Sequence, residues 1–112
     1  MDEKEVAELL YRAAQTEAIA LGFRFGEGAE GDIRGRTVSA AALIVALSPA
    51  KEDQDAALER AVRSFRHLVD TMIGSRAEAY RGNPGLLQSN IIGEDTFRLA
   101  VRQLCPGFWP FC

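Results

Sequence analysis

The pattern of apolar and polar positions is clearest between residues 56 and 73. Large apolar residues recur there at intervals of three and four, the spacing of one face of an α-helix. They are Leu58, Val62, Phe65, Leu68, Val69, Met72 and Ile73. Polar and charged residues take most of the other directions. The pattern predicts a long amphipathic helix, approximately 49–74, whose apolar face has to be covered by the rest of the chain.

Both ends of this helix carry recognisable signals. Ser48 is a favoured N-cap residue, and Pro49 suits the first helical position because its missing N–H has no partner there. Acidic residues follow at 52, 53 and 55, where the helix dipole favours negative charge. Gly74-Ser75 ends the helix, or the helix continues through 76–81 with a kink.

Three further helices are expected, at 3–21, 38–47 and 95–105. Asp2 is placed to cap the first of them and Gly22 to end it. Within the second of these helices, residues 40–47 are apolar on all sides, which is typical of a fully buried segment. A buried strand is the alternative, but its three consecutive alanines favour a helix. The sequence therefore predicts one all-α domain, 1–112, packed around the central helix.

Two stretches are expected to be irregular. Residues 22–36 contain five glycines among charged residues, which predicts a flexible Gly-rich loop. Within it, residues 23–25 could form a short extended piece. Gly26 to Gly31 matches the phosphate-binding pattern GxGxxG, but no strand precedes it in this interpretation and two glutamates inside it would repel phosphate. Residues 82–93 begin with a turn and are expected to form a lid that dips into the core.

Composition and charge exclude several functional classes. The net charge of −3 gives no electrostatic footprint for nucleic acid or for an anionic membrane. Residues 40–47 form the longest apolar run and are too few to span a bilayer. No apolar run follows the first residues, so we expect no signal peptide and a cytoplasmic location. Eleven of the 13 cations are arginines, which either reflects GC-rich coding or recognition of carboxylates or phosphates.

Cys105 and Cys112 leave three alternatives open. They are two free thiols, a disulfide, or ligands of a metal or haem. Two cysteines make half of a zinc site, and His67 is the chain's one histidine. Cys105-Pro106 also has the form of a haem-linked dipeptide, for which His67 would be a second axial ligand.

The C-terminal segment places Phe108, Trp109 and Phe111 within four positions. These rings either fold back between the central and last helices and complete the core, or they dock a partner, because Trp and Phe are typical interface anchors. Arg60, Arg63 and His67 form a cationic stripe on the central helix. The alternative for the stripe is a solvated face that pairs with neighbouring carboxylates.

We find no nucleophile beside a base, no acid–base pair of carboxylates and no metal-ligand spacing. We therefore expect a non-catalytic regulator, adaptor or effector-type module without a cofactor. Its partner would be another protein or a second copy of the chain. The expected partner-binding residues are Arg60, Arg63, His67, Phe108, Trp109 and Phe111. A redox-, metal- or haem-binding protein that uses Cys105 and Cys112 is the alternative.

Overall fold

A computed structural model of the chain describes residues 1–47 and 50–112. These residues form four α-helices and two short strands. The helices are α1 (Glu3–Ala20), α2 (Glu27–Leu47), α3 (Lys51–Ala79) and α4 (Glu94–Leu104). The strands β1 (Arg24–Phe25) and β2 (Ile91–Ile92) pair in parallel, and a 3-10 turn at Pro84–Gln88 precedes β2. The all-α class is confirmed, whereas the capping predicted for Ser48 and Pro49 lies outside the described residues.

The apolar ridge of α3 lies at the centre of the molecule, as its spacing predicts. Phe65, Leu68, Val69 and Met72 are fully buried, and the remaining ridge residues are partly buried. Helix α1 packs against both α2 and α3, while α4 covers α3 from another side. Burying each large side chain contributes about 1.5–3 kcal/mol, so this ridge is the main source of stability.

Helix α3 continues five residues beyond the predicted end at 74, to Ala79. Gly74 is exposed and meets no other side chain, so it costs the helix only its low intrinsic propensity. Beyond it, Ser75 and Arg76 are buried, and the Ser75 hydroxyl donates to Gln103 Oε1 of α4 over 3.0 Å. These tertiary contacts hold the last turns of α3 in place.

The prediction of a Gly-rich loop at 22–36, and of a second helix that starts only at 38, is wrong. Helix α2 begins at Glu27 and buries one face against the core. The buried residues on that face are Ala29, Ile33, Thr37, Ala40, Ala41 and Ile44. Gly31 and Gly35 lie on the solvent side with open space around them. Each glycine costs about 1 kcal/mol relative to alanine, and the burial of the opposite face outweighs that cost.

Residues 40–47 form part of this helix and not a strand, but they are not buried on all sides. Ala40, Ala41 and Ile44 are buried, Val45 is half-buried and Ala46 is exposed. Every helix in residues 1–47 and 50–112 is too short or too polar to cross a lipid bilayer.

Helix α1 is capped at both ends, and its C-terminal cap determines how the chain continues towards α2. Asp2 caps α1 by accepting from the Glu5 N–H over 2.8 Å, as predicted. At the other end Gly22 takes a φ of +88°, and the N–H groups of Gly22 and Phe23 donate to the carbonyls of Ile19 and Ala18. This is a Schellman motif, in which glycine is favoured because its φ is positive. The turn sends the chain directly into β1.

Two glycines at the start of α2 let other elements approach closely. A Cβ on Gly26 would lie 3.0 Å from Ile91 Cγ2 and 3.2 Å from the Ile92 carbonyl oxygen. A Cβ on Gly28 would lie 3.1 Å from a carboxylate oxygen of Glu94. A strand and a helix do flank the GxGxxG pattern, contrary to the sequence-based interpretation. Its first two glycines, Gly26 and Gly28, serve packing against β2 and α4, Gly31 faces solvent, and the adjacent glutamates disfavour a phosphate.

The segment at 82–93 does not dip into the core, with the exception of Ile92. Leu86 and Ile91 are 44% and 37% exposed, whereas Ile92 is fully buried. The space beneath the segment is taken by Arg76, which is 7% exposed and donates to backbone carbonyls of this segment. The apolar residues above Arg76 therefore stay at the surface.

Replacing Gly31 and Gly35 by alanine tests the helical assignment of this region. Each substitution should raise the free energy of unfolding by about 0.5–1 kcal/mol, because the helix gains propensity and the new methyl group meets nothing. Chemical denaturation measures the gain. Gly26→Ala is the control and should not give this gain, because its Cβ would crowd Ile91 Cγ2 and the Ile92 carbonyl oxygen, so that β2 would have to shift. If Gly31→Ala and Gly35→Ala leave stability unchanged, residues 27–36 are not helical.

Candidate functional site

The C-terminal segment after α4 folds back onto α3. Phe111 is buried, and its ring meets the fully buried ring of Phe65 edge-on with centroids 4.7 Å apart. Arg36 of α2 donates through Nη1 to the Phe111 carbonyl oxygen over 3.0 Å. Phe111 therefore belongs to the core, as in the first of the two interpretations of the tail. Its buried ring is not available to a partner, so naming Phe111 as a partner-binding residue was wrong.

A disulfide between Cys105 and Cys112 closes the segment into a loop, with Cα atoms 5.9 Å apart. Inside the loop the N–H groups of Phe111 and Cys112 donate to the Phe108 carbonyl over 2.9 and 3.1 Å. Gly107 has a φ of +92°, a conformation that favours glycine. Covalent and hydrogen-bonded closure together fix the positions of the aromatic rings.

The other two aromatic residues of the tail are half-buried at the surface. The Arg60 guanidinium lies over the Trp109 ring, 4.7 Å from its centroid. The His67 ring lies 5.5 Å from that of Phe108, which also stacks on Phe111 at 5.4 Å. A cation over an aromatic face contributes about 0.5–1 kcal/mol at an exposed site. The tail and the cationic stripe of α3 thus form one continuous surface.

Arg63 is the predicted residue that makes no contact with the tail rings. Its guanidinium lies 3.8 Å from the Glu59 carboxylate, and both side chains are largely exposed. Such an i,i+4 pair contributes only about 0.3–0.5 kcal/mol, so Arg63 can exchange this partner at little cost. Arg63 is on the same helix as Arg60 and His67 and lies at the edge of their surface. We call Arg60, Arg63, His67, Phe108 and Trp109 the docking face.

The arginines of α3 differ in whether a carboxylate lies close enough to offset their positive charge. Arg66 lies near the carboxylate of Glu17 on α1, which is also close to Asp70 of α3. The pKa of Glu17 is raised because its carboxyl shares a hydrogen bond with Asp70, while Arg66 acts in the opposite direction. Among the described residues, Arg60 forms no ion pair. The charge of Arg60 is therefore available to a partner.

The cysteines are not placed to hold a metal or a haem in this structure. A metal is bound by the deprotonated thiolate, and a cysteine in a disulfide has none. His67 packs against Phe108 and does not approach a cluster of other ligands. Within the described residues, no three His, Cys, Asp or Glu side chains are grouped so that they could hold a metal ion.

Sequence reasoning missed Arg36 as part of this region. It lies within the stretch that was assigned to a loop, so no helical face was available to place it beside the tail. In the structure its guanidinium donates to the Phe111 carbonyl and so links α2 to the tail.

Comparison of the chain with protein-family models, with curated proteins and with solved structures found no match. The contacts of the docking face are therefore the basis for its functional interpretation.

Phe111 and Trp109 should respond differently to truncation. Phe111→Ala should lower the free energy of unfolding by about 3–5 kcal/mol, because it removes a buried ring from beside Phe65. Trp109→Ala should cost less, about 1–2 kcal/mol, because its partly buried ring packs only at the edge of the core and also loses the Arg60 contact. Thermal or chemical denaturation of the two variants provides the measurement. Equal costs for the two variants would contradict the assignment of Phe111 to the core and Trp109 to the surface.

Proposed function

We propose that this chain is a non-catalytic protein-interaction module that binds an acidic segment of another protein on the docking face. The supporting observation is that Phe108 and Trp109 remain partly exposed on an ordered backbone, each beside a cationic or imidazole side chain of α3. Trp, Tyr and Arg dominate the binding energy of protein interfaces. An aromatic surface flanked by arginine is therefore suited to recognition.

The stacking of Arg60 favours a carboxylate partner. The Arg60 guanidinium carbon lies over the Trp109 ring. A guanidinium that stacks on an aromatic ring keeps its N–H donors in its own plane, where they can reach another partner. These donors match the two oxygens of a carboxylate and can bind it in a bidentate manner. Arg63, held only by an exposed ion pair, can add a second charge-assisted contact.

The rigidity of the backbone that carries the docking face supports the same proposal. Binding is weakened when mobile side chains must be fixed, and pre-ordered groups avoid that cost. Here the disulfide, the turn at 108–112 and the buried Phe111 fix the backbone that carries Phe108 and Trp109. A regulatory or adaptor role and a cytoplasmic location are part of the proposal. In a reducing cytoplasm the turn at 108–112 and the buried Phe111 would hold this backbone without the disulfide.

The combined substitution Arg60→Glu/Arg63→Glu tests this proposal. Immobilised wild-type chain should retain a protein from the native lysate that the variant does not retain, because two attractive charges become repulsive. The retained protein is then purified, and its affinity for both chains is measured directly. We expect a loss of about tenfold or more, as for one or more charge-assisted hydrogen bonds.

Arg12→Glu is the matched control, because Arg12 is an exposed arginine in an i,i+4 pair on α1, outside the docking face. It should leave the affinity unchanged. The proposal fails if Arg60→Glu/Arg63→Glu binds as tightly as the wild type, or if Arg12→Glu weakens binding equally. Circular dichroism establishes that the variants remain folded.

The disulfide favours a second candidate, a redox-responsive form of the same module. Cys112 is exposed, so a small dithiol can reach it. Reduction consumes the dithiol, which becomes a disulfide, and leaves Cys105 and Cys112 as thiols. The loop then opens at the residues that carry the docking face. In a reducing compartment, such chemistry would couple binding to the thiol balance of the cell.

Reducing the chain with a dithiol should lower its free energy of unfolding by about 2–3 kcal/mol, the chain-entropy effect of opening so short a loop. Melting curves with and without reductant measure this change. The variant Cys105→Ser/Cys112→Ser should melt like the reduced wild type and show no further response to dithiol. An unchanged melting temperature after complete reduction would contradict a stabilising role for the bond.

A further inference from the structure

An exposed apolar patch surrounds the short parallel sheet, away from the docking face. Ile19, Leu86 and Ile91 are 62%, 44% and 37% exposed. Two open clefts lie side by side here and share Ser89 and Ile91. Ile91 therefore stands on the ridge between them. Contiguous exposed apolar surface of this kind marks interaction sites more often than scattered single residues do.

The patch is carried by an ordered backbone. The buried Arg76 donates through Nη2 to the carbonyls of Leu86 at 3.3 Å, of Ser89, and of Ile91 at 3.5 Å. Its guanidinium also lies 4.6 Å from the centroid of the Phe23 ring and 5.7 Å from that of Tyr80. Through these hydrogen bonds, Arg76 holds the segment 86–91 against the end of α3.

Tyr80 holds the backbone in place at the residue that follows β2. Its hydroxyl accepts from the Gly93 N–H over 3.0 Å, and any side chain at position 93 would collide with it. The outer edge of β2 is therefore already occupied by side chains of the same molecule. A partner would meet the side chains of the patch rather than add a strand to the sheet.

The charges around the patch have opposite signs on its two sides. Arg24 lines the cleft on one side of Ile91, whereas Glu94 and Asp95 line the cleft on the other side. Arg24 is also the register partner of Ile91 in the sheet. Among the described residues, Arg24 and Asp95 form no ion pair, while Glu94 pairs with Arg98. The order across the surface is thus cationic, apolar and anionic.

A surface with this order is complementary to itself. If a twofold axis lies in the interface near Ile91 and runs perpendicular to the line from Arg24 to Asp95, the Arg24 side of one molecule faces the Asp95 side of the other, and the apolar centres meet. Closed dimers use such isologous contacts, in which the same patch serves both subunits. We propose that two copies of this chain associate through this surface, which we call the sheet face (Ile19, Arg24, Leu86, Ile91, Glu94 and Asp95). This inference is independent of the docking face and of its partner.

Sedimentation velocity of the full chain, from micromolar to millimolar concentration, tests the proposal. The wild type should show a reversible monomer–dimer equilibrium. Arg24→Glu and Asp95→Arg should each weaken the dimer by about tenfold or more, because each variant alone places like charges opposite each other twice.

An equimolar mixture of Arg24→Glu and Asp95→Arg should recover the dimer. In the mixed pair, the introduced glutamate of one chain faces the introduced arginine of the other, and the second contact is the native one. Recovery on mixing also shows that both variants are folded, and a contact at any other surface would not produce it.

Ile91→Glu should abolish the dimer, and Val38→Glu is its matched control. Val38 is 60% exposed but lies beside Glu3 and Lys4, outside the sheet face. The proposal is overturned if the wild type remains a monomer at every concentration, if mixing restores nothing, or if Val38→Glu weakens the dimer as much as Ile91→Glu.

Discussion

The structure depends on the burial of one side of α3 around Phe65. This ring is fully enclosed, and the apolar residues one and two turns further along the helix are enclosed with it. No single element covers this side. Helices α1, α2 and α4 each cover part of it, and Phe111 of the tail supplies the remaining aromatic contact. Because each cover is incomplete alone, the parts of the chain stabilise one another cooperatively.

The same packing prepares the surfaces that we propose for binding. With Phe111 fixed against Phe65, the neighbouring Phe108 and Trp109 have to lie at the outer side of the closed loop, where α3 offers His67 and Arg60. At the other end of α3, Arg76 fixes the segment that exposes Ile91. Both proposed contact surfaces are therefore carried by segments that pack on α3. The backbone of each segment stays fixed because the buried centre of α3 is stable.

Sequence reasoning located the elements whose local signals agree with their tertiary environment. The face of α3, the cap at Asp2, the glycine stop at Gly22 and the last helix all follow from spacing and end residues. The start of α2 could not be found in this way, because its glycines lower helix propensity while its buried face, from Ala29 to Ile44, becomes evident only beside α1. The pairing of Arg24 with Ile91 joins segments far apart in the chain, and no local pattern encodes it.

The candidate site was predictable to a similar degree. The arginine stripe was placed on the central helix, and folding of the tail against that helix was one of two alternatives, but the contact between tail and stripe was not predicted. The choice between core and surface was left open, because three rings in four positions do not show which of them points inward. Arg76 was also missed as a buried residue: a charged side chain after Gly74 resembles a solvated helix end, and only the carbonyls of 86–91 explain its burial.

Native-state hydrogen exchange along α3 tests this account most directly. Ala61 to Met72 carry the buried face, whereas none of the residues from Lys51 to Arg60 is buried. The amides of 61–72 should therefore exchange only through global unfolding, while those in the first turns of the helix exchange much faster through local opening. Fast and uniform exchange along the whole of α3 would show that its apolar side is not enclosed, and would contradict the account.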